Sequence, residues 1–186
     1  MGRWEPNSKG RLTQAAMDLF VERGYESTTV AEIAQRAGLT ERTFFRHFAD
    51  KREVLFSGFG ALQELLVDAV AAAPPSASPI DAVAAGLEAI GAVLDDREYS
   101  RQRQSVIAAN AELRERQLIK FASAASVLAD ALRARGVDDS AAGLSAETGV
   151  AVFRVAFERW MSEAETRDLQ EIIRASLNQL KAIARA

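Results

Sequence analysis

The chain has 186 residues with no cysteine and one histidine, and hydrophobic residues make up 48% and charged residues 26% of it. This composition is typical of a folded globular protein, and it excludes disulfides, thiolate zinc sites and cysteine nucleophiles. The net charge of −3 argues against a nucleic-acid partner, but residues 1–55 hold nine lysines and arginines against eight acidic residues. Any DNA contact must therefore depend on where the positive groups lie.

Neither a signal peptide nor a membrane-spanning helix is expected. Residues 1–10 contain Arg3, Glu5 and Lys9 and no apolar run, unlike a secretory leader. The most apolar stretch, residues 65–73, is short and is broken by Asp68, whereas a membrane span needs about 20 apolar residues. We expect a cytoplasmic protein with no membrane partner, no metal site and no cofactor.

Helical signals dominate the chain, because Ala, Leu, Glu and Arg are abundant and alternating strand patterns are nearly absent. We predict an all-α protein of about nine helices. The first covers residues 8–23 and ends at Gly24 in a left-handed cap. The second follows a capping box formed by Thr29 and Glu32 and stops at Gly38. The third begins after Thr40 and runs to about residue 48.

Caps and linkers also place the remaining helices. Residues 50–53 resemble a capping box and predict a long fourth helix, which ends before the Pro/Ser-rich linker 74–79. Ser78 and Pro79 suit the N-cap and first residue of a fifth helix over 79–94. Four more are predicted over 98–110, 112–135, 145–161 and 166–184, with 136–143 as a loop. The pattern predicts an N-terminal domain of residues 1–55 and a helical domain of residues 56–186.

The second and third helices form the geometric unit of a helix-turn-helix, in which a short Gly-containing turn joins two short helices. Gly38 supplies the positive φ for the turn, and Leu39 would plug the angle between the helices. Phe44 and Phe48 lie four residues apart and should point into the core. The other side of the third helix carries residues that can face outward: Arg42, Thr43, Phe45, Arg46 and His47.

These outward side chains suit DNA. Arginine can read guanine edges, threonine can touch a thymine methyl or a phosphate, and an aromatic ring can pack on sugars or methyl groups. The helix N-termini at Thr29 and Thr40 offer amides to phosphates. Alternatives stay open, because a helix-turn-helix shape also occurs in proteins that never touch DNA. Phe45 can be buried, Arg46 can simply face solvent, and His47 can be an ordinary surface or core histidine.

Two segments resemble the head of the tetracycline-repressor (TetR) family: residues 24–34 read GYESTTVAEIA, and residues 37–48 read AGLTERTFFRHF, followed by Asp50 and Lys51. The match covers about residues 10–56, and beyond it only the length and the helical body agree.

The resemblance implies a DNA-binding transcriptional regulator, specifically a homodimeric repressor with a ligand-sensing body. Phe45 stands where many relatives carry tyrosine, which removes one phosphate hydrogen bond. By position, the resemblance assigns phosphate contacts to Thr29 and Lys51 and a DNA-facing side to Thr40, Arg42, Thr43, Phe45 and His47.

The last two predicted helices each carry one broad apolar face. On the eighth it consists of Ala146, Val150, Phe153, Phe157 and Trp160, and on the ninth of Leu169, Ile172, Ile173, Leu177, Leu180 and Ile183. The pattern permits burial inside one subunit or against a second copy. The resemblance implies that the two helices pair with their copies as a four-helix bundle.

The resemblance also implies an effector pocket enclosed by helices four to eight, for a small apolar or amphipathic ligand. The TFFRHF variant resembles a subgroup likened to acyl-coenzyme-A sensors. Arg154 can bind an anionic ligand or pair with Glu158, and ordinary core packing is the alternative for each apolar wall residue. The ligand-binding candidates are Leu66, Arg103, Asn110, Phe153, Arg154 and Phe157.

Two other classes of protein are alternatives to the hypothesis of a DNA-binding regulator. An enzyme needs a nucleophile and base, a metal cluster or a cofactor loop. One histidine, no cysteine and no glycine-rich phosphate motif argue against an enzyme, although a carboxylate-only active site stays open. The third class is a helical interaction protein whose head binds another protein.

Overall fold

The computed structural model describes residues 7–184, so Arg3 and Glu5 lie outside the described residues. Within them the regular structure is helical, and the predicted all-α class with about nine helices is confirmed. None of these helices combines the length and apolarity that a membrane span requires. The helices are α1 (Ser8–Arg23), α2 (Val30–Arg36), α3 (Glu41–His47), α4 (Phe59–Ala72), α5 (Pro79–Val93), α6 (Arg97–Ala109), α7 (Ala111–Ala134), α8 (Asp139–Trp160) and α9 (Leu169–Ile183).

Polar caps start several helices where the sequence predicts. The Thr29 hydroxyl accepts the Glu32 amide at 3.2 Å, and the Glu32 carboxylate accepts the Thr29 amide at 2.9 Å, so the capping box is confirmed. The Ser78 hydroxyl likewise caps α5, with Pro79 as its first residue. Each cap satisfies an amide that the first helical turn leaves without a partner. Gly24 ends α1 with a positive φ of 86°. Its ψ of 155° lies outside the left-handed helical region, so the predicted left-handed cap is wrong.

The predicted long fourth helix is wrong, because the chain turns twice before α4. Residues Arg52–Val54 form a single 3-10 turn, and the Asp50 carboxylate accepts the amides of its first two residues. Gly58 then adopts φ +88°, a left-handed conformation that interrupts helical hydrogen bonding. The helix α4 begins only at Phe59.

Two boundaries in the C-terminal half also differ from the prediction. The helix α8 begins at Asp139 and not at residue 145, because the Asp138 carboxylate accepts the amides of the first turn and serves as N-cap. Most of the predicted loop 136–143 is therefore helical. The helix α9 begins at Leu169, where Asp168 is the N-cap, and not at residue 166.

Charged side chains organise the loop between α8 and α9. The Glu165 carboxylate accepts hydrogen bonds from Arg167 and Arg159 at 2.6 and 3.0 Å. These bonds, the one from Arg167 foremost, lower the pKa of Glu165 to about 2. The Arg97 guanidinium donates to the carbonyls of Glu165 and Arg167 and lies 5.4 Å from the Trp160 ring. The start of α6 is thereby tied to the α8–α9 loop.

The chain forms two units. The head unit comprises the described residues up to Gly58 together with Arg101–Gln117, and the body unit comprises Phe59–Ser100 and the described residues from 118 onward. In the head unit, Ile107 and Leu113 are fully buried, and Arg116 donates to the Glu53 carboxylate at 2.6 Å. The corner between α6 and α7 is therefore part of the head's core.

The core of the body unit lies between α4, α5, α7, α8 and α9. Its buried members include Val83, Leu128, Ala146, Ile172 and Ile173. Close approach of α5 and α8 depends on Gly149, where a Cβ atom would collide with Cγ1 of Val83. Valine has little rotamer freedom with which to move away.

We predict that Gly149→Ala lowers the free energy of unfolding by about 1–3 kcal/mol, the usual cost of overpacking a core. Gly143 on the same helix is the matched control, since a Cβ there meets nothing within 4 Å. Gly143→Ala should raise the free energy of unfolding by about 0.5–1 kcal/mol, because alanine favours the helix. Urea unfolding measures both, and equal effects of the two variants would contradict the close α5–α8 packing.

Candidate DNA-binding surface

The turn between α2 and α3 has the predicted glycine geometry. Gly38 adopts φ +65°, and the Leu39 amide donates to the Ala34 carbonyl at 2.8 Å. The Arg11 guanidinium on α1 donates to the Ala37 carbonyl at the end of α2. Arg11 thereby ties the turn to α1. Sequence analysis missed this role, because no local pattern pairs residue 11 with residue 37.

One side of α3 is anchored in the head, as predicted. Phe44 is 0% exposed and Phe48 is 4% exposed, and their ring centroids lie 5.3 Å apart. At the other end, the Thr40 hydroxyl accepts the Thr43 amide at 3.2 Å. Two aromatic rings on the buried side of α3 therefore anchor it in the head, and its N-terminus is capped.

The opposite side of α3 faces solvent. Arg42 and Arg46 are exposed, and Thr43 is half-buried. Phe45 is 55% exposed, so the alternative in which it is buried is wrong. Within residues 7–184, the Arg42 side chain has neither a hydrogen-bond partner nor an ion-pair partner. This surface therefore presents the guanidinium of Arg42 beside the exposed aromatic ring of Phe45.

Three other side chains that were predicted to contact DNA already have hydrogen-bond partners within the head unit. The exposed Thr29 hydroxyl, besides capping α2, donates to the Glu32 carboxylate at 2.9 Å. The Lys51 ammonium donates to the carbonyls of Tyr25 and Thr28 at 2.8 and 2.9 Å and lies 4.1 Å from the Tyr25 ring centroid. His47 is half-buried, and its Nε2 lies 2.8 Å from the Ser8 hydroxyl. Their DNA contacts stay predictions.

Two pKa values in the head are displaced by their surroundings. Burial, and secondarily a hydrogen bond to Glu112, raises the pKa of the Tyr25 phenol. Burial lowers the pKa of His47, and the positive charges of Arg46 and Lys9 lower it further. Both side chains are therefore neutral at pH 7.

The predicted ligand-binding residues fall into both units. In the head unit, Arg103 donates to the Leu55 carbonyl and lies 5.2 Å from the Phe56 ring. Asn110 donates to the Val106 carbonyl at 2.7 Å. Arg103 thereby ties α6 to residues 55 and 56, and Asn110 stabilises the α6–α7 corner.

The other ligand-binding candidates belong to the body unit. Leu66 is a core residue, whereas Phe153 and Phe157 are half-buried and their rings stack at 5.5 Å. Arg154 is exposed, and its guanidinium lies 5.8 Å from the Phe121 ring. The described part of the chain shows no ion pair between Arg154 and Glu158, so that alternative is wrong. These residues place an aromatic pair and a cation on adjacent positions of α8.

Two family models match the chain. Residues 12–57 match the model for bacterial regulatory proteins of the tetR family, and residues 77–184 match the model for the MftR C-terminal domain. The chain belongs to the TetR family. This TetR-family protein is a DNA-binding transcriptional regulator and not an enzyme, and the resemblance noted in the sequence is confirmed.

Curated relatives agree with the assignment. TcmR, an HTH-type transcriptional regulator of Streptomyces glaucescens, is 36% identical over 83 residues, which cover 45% of this chain and 37% of TcmR. MftR of Mycobacterium tuberculosis, a putative mycofactocin biosynthesis regulator, is 26% identical over 187 residues, or 98% of this chain and 93% of MftR. The TetR-family chain thus matches little more than a third of TcmR but most of MftR.

Solved structures share the fold. A complex of SmeT with triclosan has a TM-score of 0.66 at 22% identity, covering 95% of this chain and 90% of SmeT. SmeT is the repressor of a Stenotrophomonas maltophilia multidrug efflux pump. FadR of Bacillus subtilis with stearoyl-CoA has a TM-score of 0.63 at 20% identity, covering 92% and 96%. At these identities the likeness shows the TetR-family fold alone.

Proposed function

We propose that this TetR-family regulator is a homodimeric repressor that binds an operator through α3 and leaves it when a small apolar or amphipathic ligand binds. We assign DNA binding to residues 1–55, and effector binding and dimerisation to residues 56–186, of which Arg101–Gln117 pack in the head unit. The observation that carries the proposal is the two-sided character of α3. Its phenylalanines Phe44 and Phe48 are buried, whereas Arg42 and Phe45 face solvent.

The proposed DNA contacts follow from the chemistry of this exposed side. The guanidinium of Arg42 can donate two hydrogen bonds to one guanine edge, and the Phe45 ring can pack on a thymine methyl or a sugar. Thr43 and Arg46 extend the same contact along the groove. In a twofold dimer, two such helices lie about 34–36 Å apart and reach successive major grooves. Thr29, Thr40 and Lys51 flank the helix and are assigned to phosphates.

The outer side of α8 supports dimerisation. Leu144 and Val155 are 68% and 60% exposed, and their spacing of roughly three helical turns places both on the same side of α8. By contrast, Ile172 and Ile173 of α9 are buried within the body unit. We therefore assign the dimer contact to the outer side of α8 and not to the buried part of the apolar face of α9.

The body supplies a surface that suits an amphipathic ligand. The stacked rings of Phe153 and Phe157 offer apolar contact area, and the exposed guanidinium of Arg154 is adjacent. The related folds support this class, because the structures of SmeT and FadR carry triclosan and stearoyl-CoA. Such a ligand moves the regulator off DNA only if it binds the DNA-free arrangement more tightly.

We predict that Arg42→Ala weakens binding to an operator duplex by roughly 5- to 150-fold, corresponding to about 1–3 kcal/mol for a bidentate base contact. The duplex is selected from a random library with the wild-type protein, and affinity is measured by fluorescence anisotropy. Arg36→Ala is the matched control, because Arg36 is an exposed arginine of the same head already paired with Glu22 at 2.7 Å. The control should bind almost normally.

Wild-type affinity should fall linearly with salt on logarithmic axes, because phosphate contacts release counterions. If Arg42→Ala distinguished operator from scrambled duplex as well as the Arg36→Ala control does, the base-reading role of Arg42 would be contradicted. Salt-insensitive binding would favour the protein-interaction alternative. Triclosan and stearoyl-CoA, added to the complex, test ligand release, and retention of DNA with both would contradict this ligand class.

A further inference from the structure

Two helices of the head are joined by a side-chain hydrogen bond at the C-terminal end of α3. Ser8 is the first residue of α1, and its Oγ lies 2.8 Å from Nε2 of His47. The two residues are 39 positions apart in the sequence, and both are half-buried. This distance is typical of a well-formed hydrogen bond.

The surroundings of the ring indicate which nitrogen carries its proton. Nη2 of Arg46 lies 3.5 Å from the same Nε2. A guanidinium can only donate, so Nε2 can interact favourably with Arg46 only when it has no proton of its own. The Ser8 hydroxyl rotates freely and can also donate to Nε2. The neutral ring is then the tautomer with its proton on Nδ1.

The buried phenylalanines hold α3 without a directional bond. Phe44 and Phe48 hold the helix at a fixed depth, but apolar packing has no directional requirement and permits a small roll about the helix axis. A hydrogen bond at the last residue of the helix is directional and restricts that roll. The roll sets where Arg42 and Phe45 point.

We propose that His47 is a positioning residue whose Nε2 accepts a hydrogen bond from the Ser8 hydroxyl and so fixes the roll of α3 on α1, instead of contacting DNA itself. This inference rests on the proposed role of α3 in DNA binding, and it replaces the sequence-based prediction that His47 faces DNA. The charged groups nearest the ring are Arg46 on α3 and Lys9 on α1. Their positive charges oppose protonation of the ring, and the lowered pKa of His47 agrees with this.

The tautomer can be measured directly, because His47 is the only histidine in the chain. Nitrogen-15 NMR of the wild-type chain at pH 7.5 should show a protonated Nδ1 and an unprotonated Nε2. Ser8→Ala should shift the ring toward the Nε2–H form. A wild-type ring in the Nε2–H form, unchanged by Ser8→Ala, would overturn the proposal. This measurement requires no DNA.

A double-mutant cycle tests the positioning role. Ser8→Ala and His47→Ala should each weaken operator binding by roughly 2- to 10-fold, the effect expected of one lost hydrogen bond. The double variant should be no weaker than the weaker single variant, because both remove the same bond. Thr13→Ala is the control, since Thr13 bonds only within α1, to the Lys9 carbonyl, and it should bind normally.

Multiplied effects in the double variant would show that His47 contacts DNA independently and would overturn the proposal. If wild-type protein fails to select any duplex, the proposed DNA-binding function falls instead, and the NMR comparison of wild type with Ser8→Ala still decides whether the Ser8 hydroxyl donates to Nε2 of His47. Circular dichroism of each variant confirms that the head remains helical. A variant that unfolds is replaced by His47→Gln, whose amide oxygen can accept a hydrogen bond from the Ser8 hydroxyl and should restore binding.

Discussion

Replacing Phe44 with alanine should lower the free energy of unfolding of the head by about 3–5 kcal/mol, the usual cost of removing a fully buried phenylalanine. The side chain is 0% exposed and its ring meets the rings of both Phe45 and Phe48 at 5.3–5.4 Å. The loss leaves a cavity behind α3 and removes the anchor that holds the helix. Hydrogen exchange of the α1–α3 amides measures the effect, because it reports the head separately from the body.

Phe45→Ala is the matched control, on the same helix and with the same atoms removed. Phe45 is 55% exposed, so its loss should cost about 1 kcal/mol or less of stability. Its effect should appear in operator affinity, which we expect to fall because the exposed ring is assigned to DNA. Comparable destabilisation by the two variants would contradict the orientation of α3 on which the DNA-binding proposal depends.

Gly38→Ala should destabilise the head by about 2–4 kcal/mol and reduce operator binding with it. The φ of +65° costs an L-residue about 1–2 kcal/mol. In addition, the new Cβ would lie 2.9 Å from Nη2 of Arg11, the guanidinium that donates to the Ala37 carbonyl. Moving Arg11 away weakens a charge-assisted hydrogen bond without abolishing it, which adds about 1–2 kcal/mol of the roughly 1.5–3 kcal/mol that such a bond contributes.

Gly58→Ala separates the two contributions. Gly58 also has a positive φ, of 88°, but a Cβ there meets nothing within 4 Å. It should therefore carry the conformational cost alone. Urea unfolding and hydrogen exchange compare the two variants, and an equal cost at both glycines would show that the Arg11 bond contributes nothing to the turn.

The sequence predicted those features that depend on neighbours within one helical turn. The capping box of Thr29 and Glu32, the positive φ of Gly38 and the buried pair Phe44 and Phe48 all follow from spacings of three or four residues. Such spacings place side chains together whatever the rest of the chain does. For the same reason the exposed side of α3, with its arginines, was predicted correctly.

Where the local signals competed, the prediction of boundaries failed. Residues 50–53 contain a helix-capping signal, and Asp50 does cap the 3-10 turn at Arg52–Val54. The positive φ of Gly58 then prevents this turn from continuing into α4. Asp138 was overlooked as an N-cap because Gly136 and Gly143 suggested a loop on both sides. In each case two nearby signals were compatible with different structures, and packing selected one of them.

The amino-acid order alone thus determined the helices of the head, their turn and the side of α3 that faces outward, since these arise from short-range geometry. Only the three-dimensional arrangement decided the partners of Arg11, Lys51 and His47, which lie 26, 26 and 39 positions away along the chain. A polar side chain has many possible partners at such separations. Which one it meets is decided by how the apolar faces of distant helices pack.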